Sequence, residues 1–232
     1  MRNCFFGAIA SAVALSAASL TSGATVFQAA SDNGFFTPFN SGNAGTVKYG
    51  DSGWLSAFGT DTYTLTKITL GLATFGSELP GTTDITITMN DGDPSGLVFG
   101  PGTQLYSTTI SSVSLPGSTP GFGTYFDLEI PLPNVQTTGG FNNIGWSISL
   151  SNYNFTGQFG FQVASTFGQL AGFYTNNASF YNGSSWSLFS FSGDPVFGVA
   201  NYTAAIEGFI TPAPGTAGVL GLVGVTAMRR RR

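Results

Sequence analysis

The 232-residue chain has no histidine, a single cysteine, Cys4, and few charges, which make up only 8% of its residues. Without imidazole there is no histidine general base, no Ser-His-Asp or Cys-His arrangement and no imidazole metal ligand. Seven basic residues are too few to build the stripe that neutralises a phosphate backbone, so no nucleic-acid partner is expected. Sustained helical periodicity is missing from the body of the chain as well.

What charge there is lies unevenly. Arg2 and Arg229 to Arg232 stand at the ends, and only Lys48 and Lys67 lie between them. All eleven acids fall between Asp32 and Glu207, so the body carries 2 − 11 = −9, against −4 for the whole chain. Basic ends on an acidic body mark terminal segments with a task of their own.

The N-terminus has one positive residue, Arg2, then an apolar run from Cys4 to about Leu20, then Thr21-Ser22-Gly23-Ala24. This is the pattern of a secretory signal peptide over residues 1–24, with a helical apolar core and small residues before the cleavage point. Its removal takes Cys4 with it and leaves no thiol for a disulfide or a metal.

At the other end, Thr211-Pro212-Ala213-Pro214-Gly215 breaks any helix arriving from upstream. Thr216 to Met228 is apolar. As a helix these thirteen residues reach about 20 Å at ~1.5 Å per residue, short of the ~30 Å hydrocarbon core. Such a helix spans only with local thinning, and Arg229 to Arg232 hold its cytoplasmic end. A transient anchor over 212–232 is expected.

Pro212, Ala213 and Pro214, the apolar helix and Arg229, Arg230, Arg231 and Arg232 together resemble the bacterial PEP-CTERM sorting signal. The family's usual central Glu is Ala213 here, as in a Pro-Ala-Pro subset. The resemblance implies processing by a membrane-embedded exosortase-type sorting enzyme, and delivery to the cell surface or extracellular matrix after transient inner-membrane anchoring.

Residues 25–211 read as one domain. Short runs alternate apolar and polar residues: Thr62 to Thr74, Asp84 to Met89, Gln104 to Ile110, Thr124 to Leu132, Asn143 to Leu150, Gln158 to Ala164, Ser185 to Phe191 and Val199 to Phe209. Ile68, Leu70 and Leu72 share one face, as do Ile85, Ile87 and Met89, and Ile144, Trp146 and Ile148. One apolar and one polar face is the pattern of antiparallel sheets packed as a sandwich. The fold class expected is all-β, a jelly-roll-like antiparallel β-sandwich flanked by the N-terminal signal helix and the C-terminal hydrophobic helix. A parallel β-helix is the rival, and it would need a repeat that is not found. Thr60 to Leu65, Asp84 to Ile87, Asn90 to Gly96, Pro101 to Ser107 and Glu207-Gly208 resemble, in that order, the β-sandwich ectodomains of PEP-CTERM proteins. That resemblance implies a fold and no activity.

Three groups of residues invite chemistry. Asp91-Gly92-Asp93-Pro94-Ser95-Gly96 looks like the first half of an EF-hand loop, but position twelve would be Gly102 and Pro94 interrupts it. A surface turn is the plain reading, and a candidate calcium site on Asn90, Asp91 and Asp93 with a distant carboxylate is the sharper one. Asp127 and Glu129 point to one strand face, where paired acids could hydrolyse glycosides; alternation explains them as the solvent side. Trp54, Tyr181, Asn182 and Trp186 are the candidate sugar contacts, aromatic rings beside amides, while Trp146 reads as core. The function expected is structural or adhesive and not enzymatic, with no cofactor other than a candidate calcium ion. A carbohydrate-binding module holding extracellular polysaccharide is the alternative, and a hydrolase the remote third.

Overall fold

The structure is a computed structural model describing residues 23–29, 32–39, 47–55, 62–97, 102–137, 143–164, 169–174, 177–189 and 201–211. Both apolar helices expected at the ends, and the sorting residues 212–214 and 229–232, lie outside the described residues. Among the described residues there is no helix. There are strands β1 (Ala24–Ala29), β2 (Asp32–Phe39), β3 (Lys48–Trp54), β4 (Thr62–Phe75), β5 (Gly81–Asp91), β6 (Thr103–Leu115), β7 (Thr124–Gln136) and β8 (Asn143–Asn154). They continue as β9 (Gln158–Ala164), β10 (Gln169–Ala171), β11 (Phe173–Tyr174), β12 (Ser179–Tyr181), β13 (Trp186–Leu188), β14 (Asn201–Tyr202) and β15 (Ala204–Thr211).

Two sheets form a sandwich. One has the order β10-β1-β15-β4-β9-β14, with β2 also on β9 and β7 on β4. The other has the order β13-β12-β3-β8-β5-β6, with β11 also on β3. Every ladder among the described residues is antiparallel, which sets the β-helix aside. The pairs nest: β5 with β6, β4 with β7, β3 with β8, β2 with β9, and β1 with β10. The hairpin at the centre lies in one sheet and the pair around it in the other. The chain is thus a long hairpin rolled over on itself.

The rolling works because each strand has one apolar face. Ile68, Leu70 and Leu72 of β4, Ile85, Ile87 and Met89 of β5, Ile144, Trp146 and Ile148 of β8, and Phe159 and Phe161 of β9 fill one continuous core. Trp146 packs on Phe27 of β1 from the facing sheet, ring centroids 5.4 Å apart. Phe126 and Leu128 of β7 share the face of Ile130 and Leu132 but are only half-buried, because β7 is an edge strand.

Asp84 fixes a place where register shifts on both sides of β5. Its carboxylate accepts the Ser112 N–H at 2.8 Å and the Asn152 Nδ2 at 2.6 Å. Both donors carry positive φ, 55° and 49°, a conformation that side chains resist. These bonds, the Ser112 N–H first, hold the carboxyl below the ordinary carboxylate range.

Candidate functional site

One of two fully buried acids among the described residues sits in a strand that the alternating pattern does not reveal. Asp51 of β3 pairs in register with Trp146 and is 1% exposed. Its Oδ1 accepts the Ser52 N–H at 2.8 Å, and its Oδ2 accepts the Tyr202 N–H at 2.7 Å from β14 of the facing sheet. Burial pushes its carboxyl well above the ordinary 3.8; the two N–H bonds oppose that and the charge of Asp93 adds to it. A raised acid is a common mark of an active site. This one is closed to any substrate, so its work is to clip one sheet to the other.

Above the outer face of the same sheet lies the β5–β6 loop. Asp93 is buried, and its Oδ1 accepts the Ser95 N–H at 2.8 Å and the Ser95 Oγ at 2.7 Å. The Asp93 carbonyl accepts the N–H groups of Gly96 and Gly102 at 3.2 and 3.1 Å, closing the loop. This is the Asx-type turn its composition predicts. Pro94 lies on Gly50 and Gly145: a Cβ on Gly50 would stand 2.9 Å from Pro94 Cγ, and one on Gly145 would stand 2.5 Å from Pro94 Cδ. Only glycines let the loop come down so close.

Beneath that loop the structure brings Asn143, a residue the sequence did not single out, close to Gly92 and to the end of β5 that carries Asn90. Asn90 pairs with Gly145, two residues along β8 from Asn143, and its Nδ2 donates to the Gly102 carbonyl at 3.3 Å. Asn143 Oδ1 lies 3.8 Å from where a Cβ on Gly92 would be. The side-chain oxygens of Asn90 and Asn143, and Asn143 Nδ2, are buried without a hydrogen bond. Asp91 instead continues β5, half-buried opposite Thr103. Among the described residues there is no group of three or more Asp, Glu, His or Cys that could hold a metal.

The candidate sugar contacts separate into two places. Tyr181 and Trp186 face each other across the β12–β13 hairpin, ring centroids 5.4 Å apart, both half-buried. Lys48 Nζ lies 6.0 Å from the Tyr181 ring centre. Asn182 Oδ1 accepts the Ser184 N–H, the Ser184 Oγ and the Ser185 N–H, so it is committed to the turn. Trp54 sits at the other end of β3, opposite Phe173, roughly 20 Å from Lys48 at ~3.3 Å per residue. Trp146 is core, fully buried.

Asp127 and Glu129 are exposed on β7, opposite Gly71 and Thr69. Lys67 reaches Glu129 at 3.2 Å and Glu207 at 2.8 Å. Those bonds, to Glu207 first, raise the lysine's pKa. A solvated Glu-Lys-Glu row of this kind contributes little. The apolar Leu79 and Phe122, each 71% exposed, project from the β4–β5 and β6–β7 loops. Those loops lie together, the Ser118 N–H donating to the Ser77 carbonyl at 2.6 Å.

No family model matches the chain, and no curated protein matches it. A solved chain of the T13 IBDV viral particle aligns at 15% identity and a TM-score of 0.24, over 83% of this chain and 40% of that one. The chain thus spans well under half of that protein, and superposition at that level says nothing of its role.

Proposed function

We propose that the chain is a secreted protein sorted by its C-terminal tail to the cell surface or extracellular matrix, where a jelly-roll-like sandwich serves a structural or adhesive role without catalysis. The observation that carries this reading is the Pro212-Ala213-Pro214, apolar, Arg229–Arg232 ending on an acidic body without His or Arg between Thr25 and Thr211. The nested strand pairing supports the jelly-roll description. The geometry of the ends is compatible with a tether. Ala24 of β1 pairs with Gly208 of β15, and Thr211 with Thr62 at the start of β4. The described chain therefore begins and ends at one pole of the sandwich. Leu79 and Phe122 follow the end of β4 and precede the start of β7, at the other pole. They are the apolar contacts such a domain would present outward.

Expression of the full chain in a bacterium with an exosortase-type enzyme tests this. The chain should be found in the surface or matrix fraction with its tail removed. A chain ending at Thr211 should lose that location. Identical location and maturation of the two would overturn the sorting role.

The carbohydrate-binding reading has one observation in its favour, the Tyr181–Trp186 pair beside Lys48. In that reading the full chain should retain members of a glycan array, and Trp186→Ala should lower retention at least tenfold, the scale of one lost ring contact. Equal retention by wild type and variant would remove the hairpin as the platform.

A further inference from the structure

We propose that β6 is a self-pairing edge. Two copies of the chain join β6 to β6, antiparallel about a two-fold axis at Thr108, and one sheet then runs through a weak dimer. The pairing does not depend on where the chain is sorted.

The two long edges of the sandwich are built differently. Among the described residues β6 has a strand ladder only with β5, so a row of its N–H and C=O groups faces outward. Over its thirteen residues, Thr103–Leu115, it carries no charge and no proline. β7, an edge of the other sheet, carries Asp127, Glu129, Pro131 and Pro133, the charges and prolines that keep an edge from pairing. The body carries 2 − 11 = −9, so two copies repel one another on most approaches. Along β6 they can meet without setting carboxylate against carboxylate.

The register follows from the β5–β6 ladder. It shifts between Thr83 and Ile85 and again between Met89 and Asn90, which leaves residues 106–110 as the straight run. Thr108 is its centre. Turned about that residue, the run is complementary to itself. Tyr106 and Ile110 lie opposite Met89 and Ile85, both core residues, and so share the inner face, where each is half-buried. In the dimer Tyr106 of one copy meets Ile110 of the other. Ser107 and Thr109 are exposed on the outer face, and they meet likewise. Aromatic with β-branched, and Ser with Thr, are favourable pairs across strands. Each copy offers one β6 and its β7 is guarded, so the contact closes at two copies. So short a contact belongs to the small, transient class of interfaces.

Sedimentation of the full chain over a wide range of concentration should show a reversible monomer–dimer equilibrium. Thr108→Lys sets two ammonium groups directly opposite each other across the axis and should weaken the dimer about tenfold or more. Cross-linking tests the register itself. In a Cys4→Ser chain, Thr108→Cys brings two thiols face to face, their Cα atoms about 4.5–5.5 Å apart, within the span of a disulfide. Mild oxidation should link most of this variant into dimers. Ser111 is more exposed than Thr108, but in this register its two copies stand roughly 20 Å apart, about six residues of strand at ~3.3 Å each. Ser111→Cys should therefore stay unlinked. Equal linking at the two positions would overturn the proposal, as would a monomer at every concentration, which leaves the edge to a strand of some other chain. Growth past two copies would overturn it too. So would a dimer that Thr108→Lys leaves intact, since the contact would then lie elsewhere, at the apolar ends of the chain.

Discussion

Asp51→Ala should destabilise the fold by about 3–5 kcal/mol, because it leaves the Ser52 and Tyr202 N–H groups without the acceptor they share. Both lie in the sealed interior, where an orphaned amide costs about 1–3 kcal/mol, and the lost carboxyl leaves a void beside Trp146. Urea unfolding measures it; a loss under about 1 kcal/mol, the worth of a single ordinary hydrogen bond, would mean that the clip between the sheets does not depend on this side chain. Asp51→Asn separates charge from contact. Its amide keeps one acceptor but turns an NH₂ toward the second N–H, a loss of about 1–3 kcal/mol that does not vary with pH. The carboxyl's own contribution does vary. Its folded value lies above 3.8 because burial disfavours the charge, so the folded state holds a proton that the unfolded chain has released. Stability from this group is therefore complete below pH 3.8 and falls as pH rises from there through the raised folded value. Asp84, whose carboxyl is lowered, contributes the opposite slope in acid. The difference between wild type and Asp51→Asn cancels that background and should shrink steadily as pH rises. A difference that is constant with pH would show that Asp51 ionises normally inside the sandwich.

Gly145→Ala is the second large effect. The added methyl would overlap the Gly92 carbonyl oxygen and meet Pro94 Cδ at 2.5 Å. Neither can yield alone, since Gly92 is backbone at φ 121° and Pro94 is a ring lying on Gly50 as well. The whole loop must lift, at a cost of about 3 kcal/mol, the upper part of the usual range for overpacking. Protease cleavage within the loop should accelerate in step with the fall in urea midpoint. A variant with wild-type stability and an uncut loop would show that the loop does not rest on β8.

How much of this could be read in advance depends on what each strand buries. β4, β5, β7, β8 and β9 were legible because branched and aromatic residues alternate with polar ones, as in Ile144, Trp146 and Ile148. β3 was not. Lys-Tyr-Gly-Asp-Ser-Gly-Trp has the composition of a turn, and its inward face carries Asp51 in place of an apolar residue. Gly50 belongs to the strand because Pro94 lies on it, and Gly53 because a Cβ there would run into the Phe27 ring; both are reasons that exist only in three dimensions. β10 to β12 are two or three residues long, too short to show a period. The acidic loop was visible as a loop. Asn143 was not visible, since only the β5–β8 register brings it there from so far along the chain. Trp54 and Trp186 looked equivalent in sequence. The length of β3 parts them.

The nesting of the pairs governs time as well as shape. The inner hairpin joins residues a short way apart, such as Asp91 and Thr103. The last strand, β15, lies between β1 and β4, and so ties Thr25 to Glu207 and Thr62 to Thr211. Contacts of such separation form late and slowly, on the millisecond-to-second scale of all-β domains. β1 gains its first neighbour only with β10 and its second only with β15. A chain emerging from the ribosome thus cannot complete this sheet until nearly all of the sandwich exists.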